Sequence, residues 1–293
     1  MKEIKGCGTA LITPFTKDLN VDFDSYRMLV RRQIEGGIHF LVPLGTTGET
    51  PCLEENEKFQ LLEIAIEESG GRIPVVAGVG SNSTKQVIRN IQAFEKLGVD
   101  GFLVVTPYYN KPTQQGMINH FTSIAESTDK QIIMYNVPAR TAVNMFSETT
   151  LKLAEIMNIK ATKEASSNYA QISEIIRNAP EGFSVLSGND DETLSLAATG
   201  AKGLISVASN IAPSLMSEFL EKLLNNEVEG ARDLHHKLTP LFKNCFIESN
   251  PIPVKAGMYK LGLIENVLRP PLYPATQNTL NIMEKTIEEL KLK

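Results

Sequence analysis

The feature that most constrains this chain is a pattern, repeated eight times: a short, almost wholly apolar run followed by a longer amphipathic stretch. The apolar runs are GTALITPF near residue 10, HFLVPLG near 40, PVVAGVG near 77 and DGFLVVTPYY near 104. They continue with QIIMYNVP near 134, NIKATKEAS near 162, FSVLSGND near 186 and AKGLISVAS near 205. Strands that read as near-continuous apolar runs are covered on both faces, as parallel strands under helices are. The stretches between them carry helix grammar. DFDSYRMLVRRQIEGG opens on Asp22 or Asp24 as N-cap, places Tyr26, Leu29, Val30 and Ile34 on one face, and stops at Gly36-Gly37. LEENEKFQLLEIAIEESGG repeats this with Phe59, Leu62 and Ile66 and a Gly70-Gly71 stop. STKQVIRNIQAFEKLG starts at Ser83 or Thr84, lines up Val87, Ile91 and Phe94, and ends at Gly98; SETTLKLAEIM, DDETLSLAATG and APSLMSEFLEKLLNN follow the same layout.

Eight strand-then-helix units specify an α/β chain of the (β/α)8 TIM-barrel class. The competing doubly wound sheet loses its usual signature, because no GxGxxG follows the first run. The expected barrel occupies residues 1–226. Residues 227–293 show no strand, and the spacing of Leu234, Leu238, Phe242 and Phe246, then of Ile282, Ile287 and Leu290, predicts a C-terminal helical extension of two or three helices.

Composition excludes several function classes. A formal charge of −5 supplies no basic field for nucleic acid. No apolar run reaches the roughly 18–20 residues that span a bilayer. The N-terminal MKEIKGCGTALITPF is interrupted by Gly6, Gly8 and Pro14, unlike a secretory signal, and three cysteines without CxxC spacing suit a reducing compartment. A cytoplasmic enzyme is therefore expected. The four histidines form no HExxH or comparable set, so neither a metal nor an organic cofactor is expected.

Barrel active sites lie at the C-terminal ends of the strands. Those ends carry Gly45-Thr46-Thr47-Gly48-Glu49, Thr106-Pro107-Tyr108-Tyr109-Asn110, Tyr135-Asn136-Val137-Pro138 with Arg140 beyond, Lys163-Glu164, Ser187-Gly188-Asn189-Asp190 and Ile205-Ser206. Lys163 follows Ile159 and Ala161 into the barrel, where desolvation disfavours an ammonium and makes a lysine a nucleophile toward a ketone. The other reading of Lys163 is a buried ion pair, with Glu164 or another acid. The GTTGE loop suits a carboxylate, through small residues, hydroxyls and backbone N–H groups, or is simply a tight turn into a helix. Tyr108, Tyr109 and Tyr135 supply phenols for proton relay or for packing at the barrel rim. Arg140 is either a carboxylate clamp or an exposed loop arginine.

Five motifs in order, GTTGE, VTPYYNKPTQQG, YNVPARTAVN, KEASSN and LSGND, resemble the dihydrodipicolinate synthase family, from about Gly6 to the C-terminal helices. The resemblance implies that Lys163 forms a Schiff base with pyruvate and that Tyr135 is the acid/base over the imine. Thr47 and Tyr109 would extend a hydroxyl relay from Tyr135, with Tyr109 reaching into a neighbouring subunit. It further implies that Thr46 and Thr47 hold the pyruvate carboxylate, and that Arg140 binds the carboxylate of L-aspartate 4-semialdehyde. Gly188 and Ile205 would line the site with their carbonyls. The implied product is 4-hydroxy-tetrahydrodipicolinate, on the diaminopimelate and lysine route, made by a homo-oligomer arranged as a dimer of dimers. The same superfamily includes N-acetylneuraminate lyase, but Arg140 within NVPARTAVN and the KEAS sequence favour the synthase. A barrel that binds small molecules without catalysis would be expected to lose the lysine or the tyrosine. Lysine-inhibited members bind free lysine in a dimer-interface cleft. Here the corresponding positions are Thr50, Glu55, Lys58, Asn82, Gln86 and Tyr108, and the charge of Lys58 opposes the effector's ammonium groups, so inhibition is expected to be weak or absent.

Overall fold

The computed structural model describes residues 4–292; the first three residues of the expected barrel and the last of the expected extension lie outside them. Eight strands alternate with helices: β1 (Gly6–Ala10), β2 (Phe40–Val42), β3 (Val76–Gly78), β4 (Gly101–Val105), β5 (Gln131–Asn136), β6 (Ile159–Glu164), β7 (Ser184–Ser187) and β8 (Gly203–Ser206). The helices between and after them are α1 (Phe23–Glu35), α2 (Glu55–Ser69), α3 (Thr84–Phe94), α4 (Gln114–Ala125), α5 (Pro138–Thr141), α6 (Ser147–Ala154), α7 (Tyr169–Asn178), α8 (Thr193–Thr199) and α9 (Pro213–Leu224). Three more, α10 (Val228–Asn244), α11 (Ile252–Lys260) and α12 (Gln277–Glu289), form the C-terminal part. All strand pairings are parallel, in the order β2-β1-β8-β7-β6-β5-β4-β3. The two outer strands meet through a parallel Leu41–Val75 bridge, and Gly78 N donates to Pro43 O at 2.9 Å. That contact closes a TIM barrel, as the eightfold pattern predicts.

Local signals set the helix boundaries. The Asp22 carboxylate accepts from Ser25 N at the start of α1, and the Ser83 hydroxyl accepts from Gln86 N at the start of α3. Gly70 ends α2 in the left-handed conformation that glycine adopts without penalty. Phe59 and Ile66, expected on the buried face of α2, are only partly buried; Leu61, Leu62, Ile64 and Ala65 take that place. Phe59 instead packs edge-on against Phe94 of α3, with ring centroids 5.3 Å apart. The helix is thus wedged between its neighbours as well as the barrel, and its apolar surface is broader than one stripe.

Alternate strand residues fill the barrel interior: Ala10, Phe40, Val42, Val76, Leu103, Ile133, Ala161, Leu186 and Ile205 form one buried cluster. The period of two places the next inward residues, Tyr135 after Ile133 and Lys163 after Ala161, one layer nearer the C-terminal mouth.

The C-terminal helices are joined to the barrel by a separate apolar cluster that includes Ile211, Phe219, Leu238, Phe242, Val254 and Met283. They are also joined by a fully buried ion pair between Lys255 of α11 and Glu49, with Nζ–Oε1 at 2.7 Å. Lys255 Nζ also donates to Thr13 O at 2.9 Å and stands 4.3 Å from the centroid of the Phe15 ring. Removing one partner of such a pair strands the other charge in a dry interior, which costs about 3–5 kcal/mol, whereas an exposed pair contributes less than about 1 kcal/mol. Lys255→Ala is therefore expected to lower stability in urea unfolding far more than Lys260→Ala, which removes the exposed pair to Glu284. Equal losses would contradict a structural role for the buried pair.

Candidate active site

Lys163 and Tyr135 are directly paired in the β5–β6 register. Both point inward, and Lys163 Nζ lies 4.2 Å from the centroid of the Tyr135 ring. Lys163 is 5% exposed and makes no ion pair among the described residues. Burial lowers its pKa to about 7, assisted by the positive charge of Arg140 and opposed by Asp190. Burial raises Tyr135 to about 12, and Arg140 works in the opposite direction. Arg140, exposed in the one-turn α5, therefore projects its field onto both groups from the mouth of the barrel.

The ion-pair reading of Lys163 with Glu164 fails on strand geometry, because successive side chains face opposite sides. Glu164 lies on the outer side, where its carboxylate accepts from Asn136 Nδ2 at 3.2 and 3.3 Å and from Ser166 Oγ at 2.8 Å. Burial raises Glu164 to about 7 despite those hydrogen bonds. Asn136 follows Tyr135 just as Glu164 follows Lys163, so the outer pair ties together the two strands that carry the inner pair.

Asp190 was not singled out from the sequence, yet it is the acid whose charge reaches Lys163. It is buried and accepts from Val207 N at 3.1 Å, Ala208 N at 3.2 Å and the Ser206 hydroxyl. Burial raises its pKa, and these hydrogen bonds and Lys163 oppose the rise. Its only sequence signal is an acid two residues beyond Gly188 at a strand end. Gly188 itself is a close-approach position: a Cβ there would stand 2.7 Å from Ala165 Cβ and 3.0 Å from Glu164 O. Ile205 is fully buried in the cluster that contains Tyr135.

The loop after β2 makes one tight turn over Thr46–Gly48 and then places Glu49 in the left-handed region at φ 52°. Thr46 is exposed and Thr47 buried. The Thr47 hydroxyl accepts from Asn250 Nδ2 at 3.0 Å. Glu49 is fastened by Lys255, and Arg269 N donates to its Oε2 at 3.1 Å, so a non-glycine residue is held in a costly backbone conformation by buried charge. Neither Asn250 nor the Glu49–Lys255 pair had a signal in the sequence, since each contact spans more than 200 positions.

Tyr109 sits apart. At φ 72° and 89% exposed, its phenol lies outside the interior that encloses Lys163 and Tyr135 in this chain. Of the six residues matched to an effector cleft, Thr50, Glu55 and Lys58 lie around the start of α2, Asn82 and Gln86 around the start of α3, and Tyr108 in the loop after β4. Glu55 and Gln86 are exposed, and Gln86 donates to Asn90 Oδ1 at 2.9 Å. Thr50, Lys58 and Asn82 are half-buried, and Tyr108 is exposed. Thr50 donates to Gly45 O at 2.9 Å, and Asn82 O accepts from Asn110 Nδ2 at 2.9 Å. Among the described residues no group of three or more His, Cys, Asp or Glu side chains is placed to hold a metal ion, and no helix is long and apolar enough to cross a membrane.

Comparison with known proteins agrees with this geometry. The model of the dihydrodipicolinate synthetase family matches residues 3–290. A 4-hydroxy-tetrahydrodipicolinate synthase from Thermotoga neapolitana is 44% identical over 289 residues, covering 97% of this chain and 98% of that protein. One from Phocaeicola vulgatus is 46% identical over 291 residues, covering 99% and 98%. The crystal structure of dihydrodipicolinate synthase from Thermotoga maritima, 44% identical, matches with a TM-score of 0.97 over 100% of both chains. A TIM barrel with a buried lysine facing a tyrosine across adjacent strands, matched in sequence and structure from end to end, belongs to the dihydrodipicolinate synthase family.

Proposed function

We propose that this chain is a 4-hydroxy-tetrahydrodipicolinate synthase, condensing pyruvate with L-aspartate 4-semialdehyde on the route to diaminopimelate and lysine. The observation that carries this reading is Lys163: a buried amine with no ion pair among the described residues, lowered to about 7 by desolvation and set against Tyr135.

A lysine in this state is unprotonated in about half of the molecules at neutral pH and can then add to the C2 carbonyl of pyruvate. Loss of water from the carbinolamine needs a proton delivered to the departing oxygen. Tyr135, kept protonated by burial, is the adjacent donor. The resulting iminium draws electrons from the pyruvate methyl group, which loses a proton to give the enamine. The enamine carbon then attacks the aldehyde carbon of the second substrate, whose oxygen becomes a hydroxyl. Finally the substrate's own amine adds to C2 and displaces the Lys163 amine, closing the ring. Thr46 and Thr47 on the GTTGE loop hold the pyruvate carboxylate. Arg140 at the mouth binds the carboxylate of the semialdehyde bidentately, and its charge adds to the larger effect of burial in lowering Lys163. The carbonyls of Gly188 and Ile205 line the site near the attacking group. Thr47 and Tyr109 extend the proton path from Tyr135. The exposure of Tyr109 fits a phenol that completes its relay across a subunit boundary, so the working enzyme is at least a dimer, arranged as a dimer of dimers. The enzyme acts in the cytoplasm.

Intact mass after incubation with pyruvate and sodium borohydride tests the central step. A pyruvyl-sized adduct is expected on the wild type and absent from Lys163→Ala; an adduct on both, or on neither, would remove Lys163 from its role. A second expectation concerns regulation. Lys58 at the cleft of α2 and α3 places a positive charge where free lysine would bring two ammonium groups, and Gln86 offers no opposite charge. Turnover at neutral pH is therefore expected to be unaffected by micromolar lysine, and a micromolar inhibition constant would show that Glu55 offsets Lys58.

A further inference from the structure

The C-terminal extension grips the loop after β2 at three side-chain atoms. Lys255 Nζ donates to Glu49 Oε1 at 2.7 Å, Arg269 N donates to Glu49 Oε2 at 3.1 Å, and Asn250 Nδ2 donates to Thr47 Oγ1 at 3.0 Å. The two contacts to Glu49 hold the backbone of the loop. The third ends on a hydroxyl, and a hydroxyl has a direction: one proton to give and two lone pairs to receive. By accepting from Asn250, Thr47 commits a lone pair to the extension and keeps its single proton for another acceptor.

The orientation of the Asn250 amide is itself constrained. The residue is 6% exposed, and its Oδ1 is buried with no hydrogen-bond partner among the described residues. Turning the amide over would present Oδ1 to Thr47 and leave an –NH2 group with two protons unpaired in place of one unpaired acceptor. The donor orientation is the less costly of the two. Asn250 stands two residues before α11, the helix whose Lys255 is locked into the barrel, so the amide is carried on a fixed element.

We propose that Asn250 is a positioning residue for the reaction: its amide sets the Thr47 hydroxyl as a proton donor into the site, so the C-terminal extension completes an active site that the barrel alone leaves undirected. This rests on the reading of Lys163 and Thr47 given above. It assigns the extension a task beyond stability, carried by a residue separated from Thr47 by more than 200 positions.

The test uses the full chain, with kcat, KM for each substrate and borohydride trapping of pyruvate measured on wild type, Asn250→Ala, Asn250→Asp, Thr47→Val and the Thr47→Val/Asn250→Ala double variant. Asn250→Ala is expected to lower kcat about tenfold and to raise KM for pyruvate more than KM for the semialdehyde, because the same hydroxyl holds the pyruvate carboxylate. In the Thr47→Val background the same substitution is expected to change kcat less than about twofold, because the hydroxyl it acts through is gone. Asn250→Asp keeps the volume but replaces a donor with an acceptor, and is expected to lose as much turnover as Asn250→Ala. Wild-type kcat in Asn250→Asp or Asn250→Ala, or equal losses in the two Thr47 backgrounds, overturns the proposal while pyruvate trapping on the wild type still stands. Should Asn250→Ala not fold, the isosteric aspartate variant decides alone. Failure of the wild type to trap pyruvate strikes the Schiff-base reading first, and this proposal with it.

Discussion

Everything distinctive about this protein depends on keeping a lysine out of water. An ammonium group loses its hydration on burial, and unless a carboxylate is placed against it the group yields its proton instead. In this chain the adjacent carboxylate, Glu164, is turned to the outer face of β6 by the alternation of the strand, where Asn136 and Ser166 occupy it. Asp190 remains the nearest acid to be felt, but its own charge is weakened by burial and is spent on Ser206 and two backbone N–H groups. The barrel thus supplies a dry wall, a tyrosine and no committed counter-ion, which is what a nucleophilic amine requires at neutral pH.

A closed barrel positions strand residues well but leaves the loops at its mouth to be fixed by something else. For the loop after β2 that support comes from the far end of the sequence. Lys255 and Arg269 hold Glu49, while Arg269 also makes a two-pronged contact with Glu57 at 2.6 and 2.6 Å and stacks 4.6 Å from the centre of Phe15. Buried charge is an expensive fastener compared with apolar packing, and its use here buys geometric definition rather than stability. The residues so fixed, Thr46 to Glu49, include the two threonines proposed to bind the carboxylate and relay the proton.

The fold was legible because its information is local. Apolar runs of strand length, caps such as Asp22 and Ser83, and the Gly70 stop each act within a few positions, so the eight units and a C-terminal extension of two or three helices could be read without knowing how they assemble. The inward placement of Lys163 and Tyr135 was legible for the same reason, since it needs only the strand period. Contacts made by closing the barrel were not. Asn210, whose Oδ1 accepts from Ile12 N, Asn250 on Thr47 and Lys255 on Glu49 each join positions about 200 residues apart, with no spacing rule to announce them. Phe59 packs against the core as its spacing predicts, but it stays half-buried because it sits at the edge of the stripe, against Phe94 of α3.

The central claim is that burial lowers the Lys163 amine far enough for a large share of it to be unprotonated at neutral pH. The direct measurement is an NMR titration of the lysine Cε signals, with Lys163 assigned by its absence from Lys163→Ala. A midpoint near 7 is expected for Lys163, with Lys255 lowered to about 8 by its own burial. A Lys163 midpoint near 10 would mean that the group is charged and hydrated at neutral pH, and a nucleophile activated by burial could not be maintained.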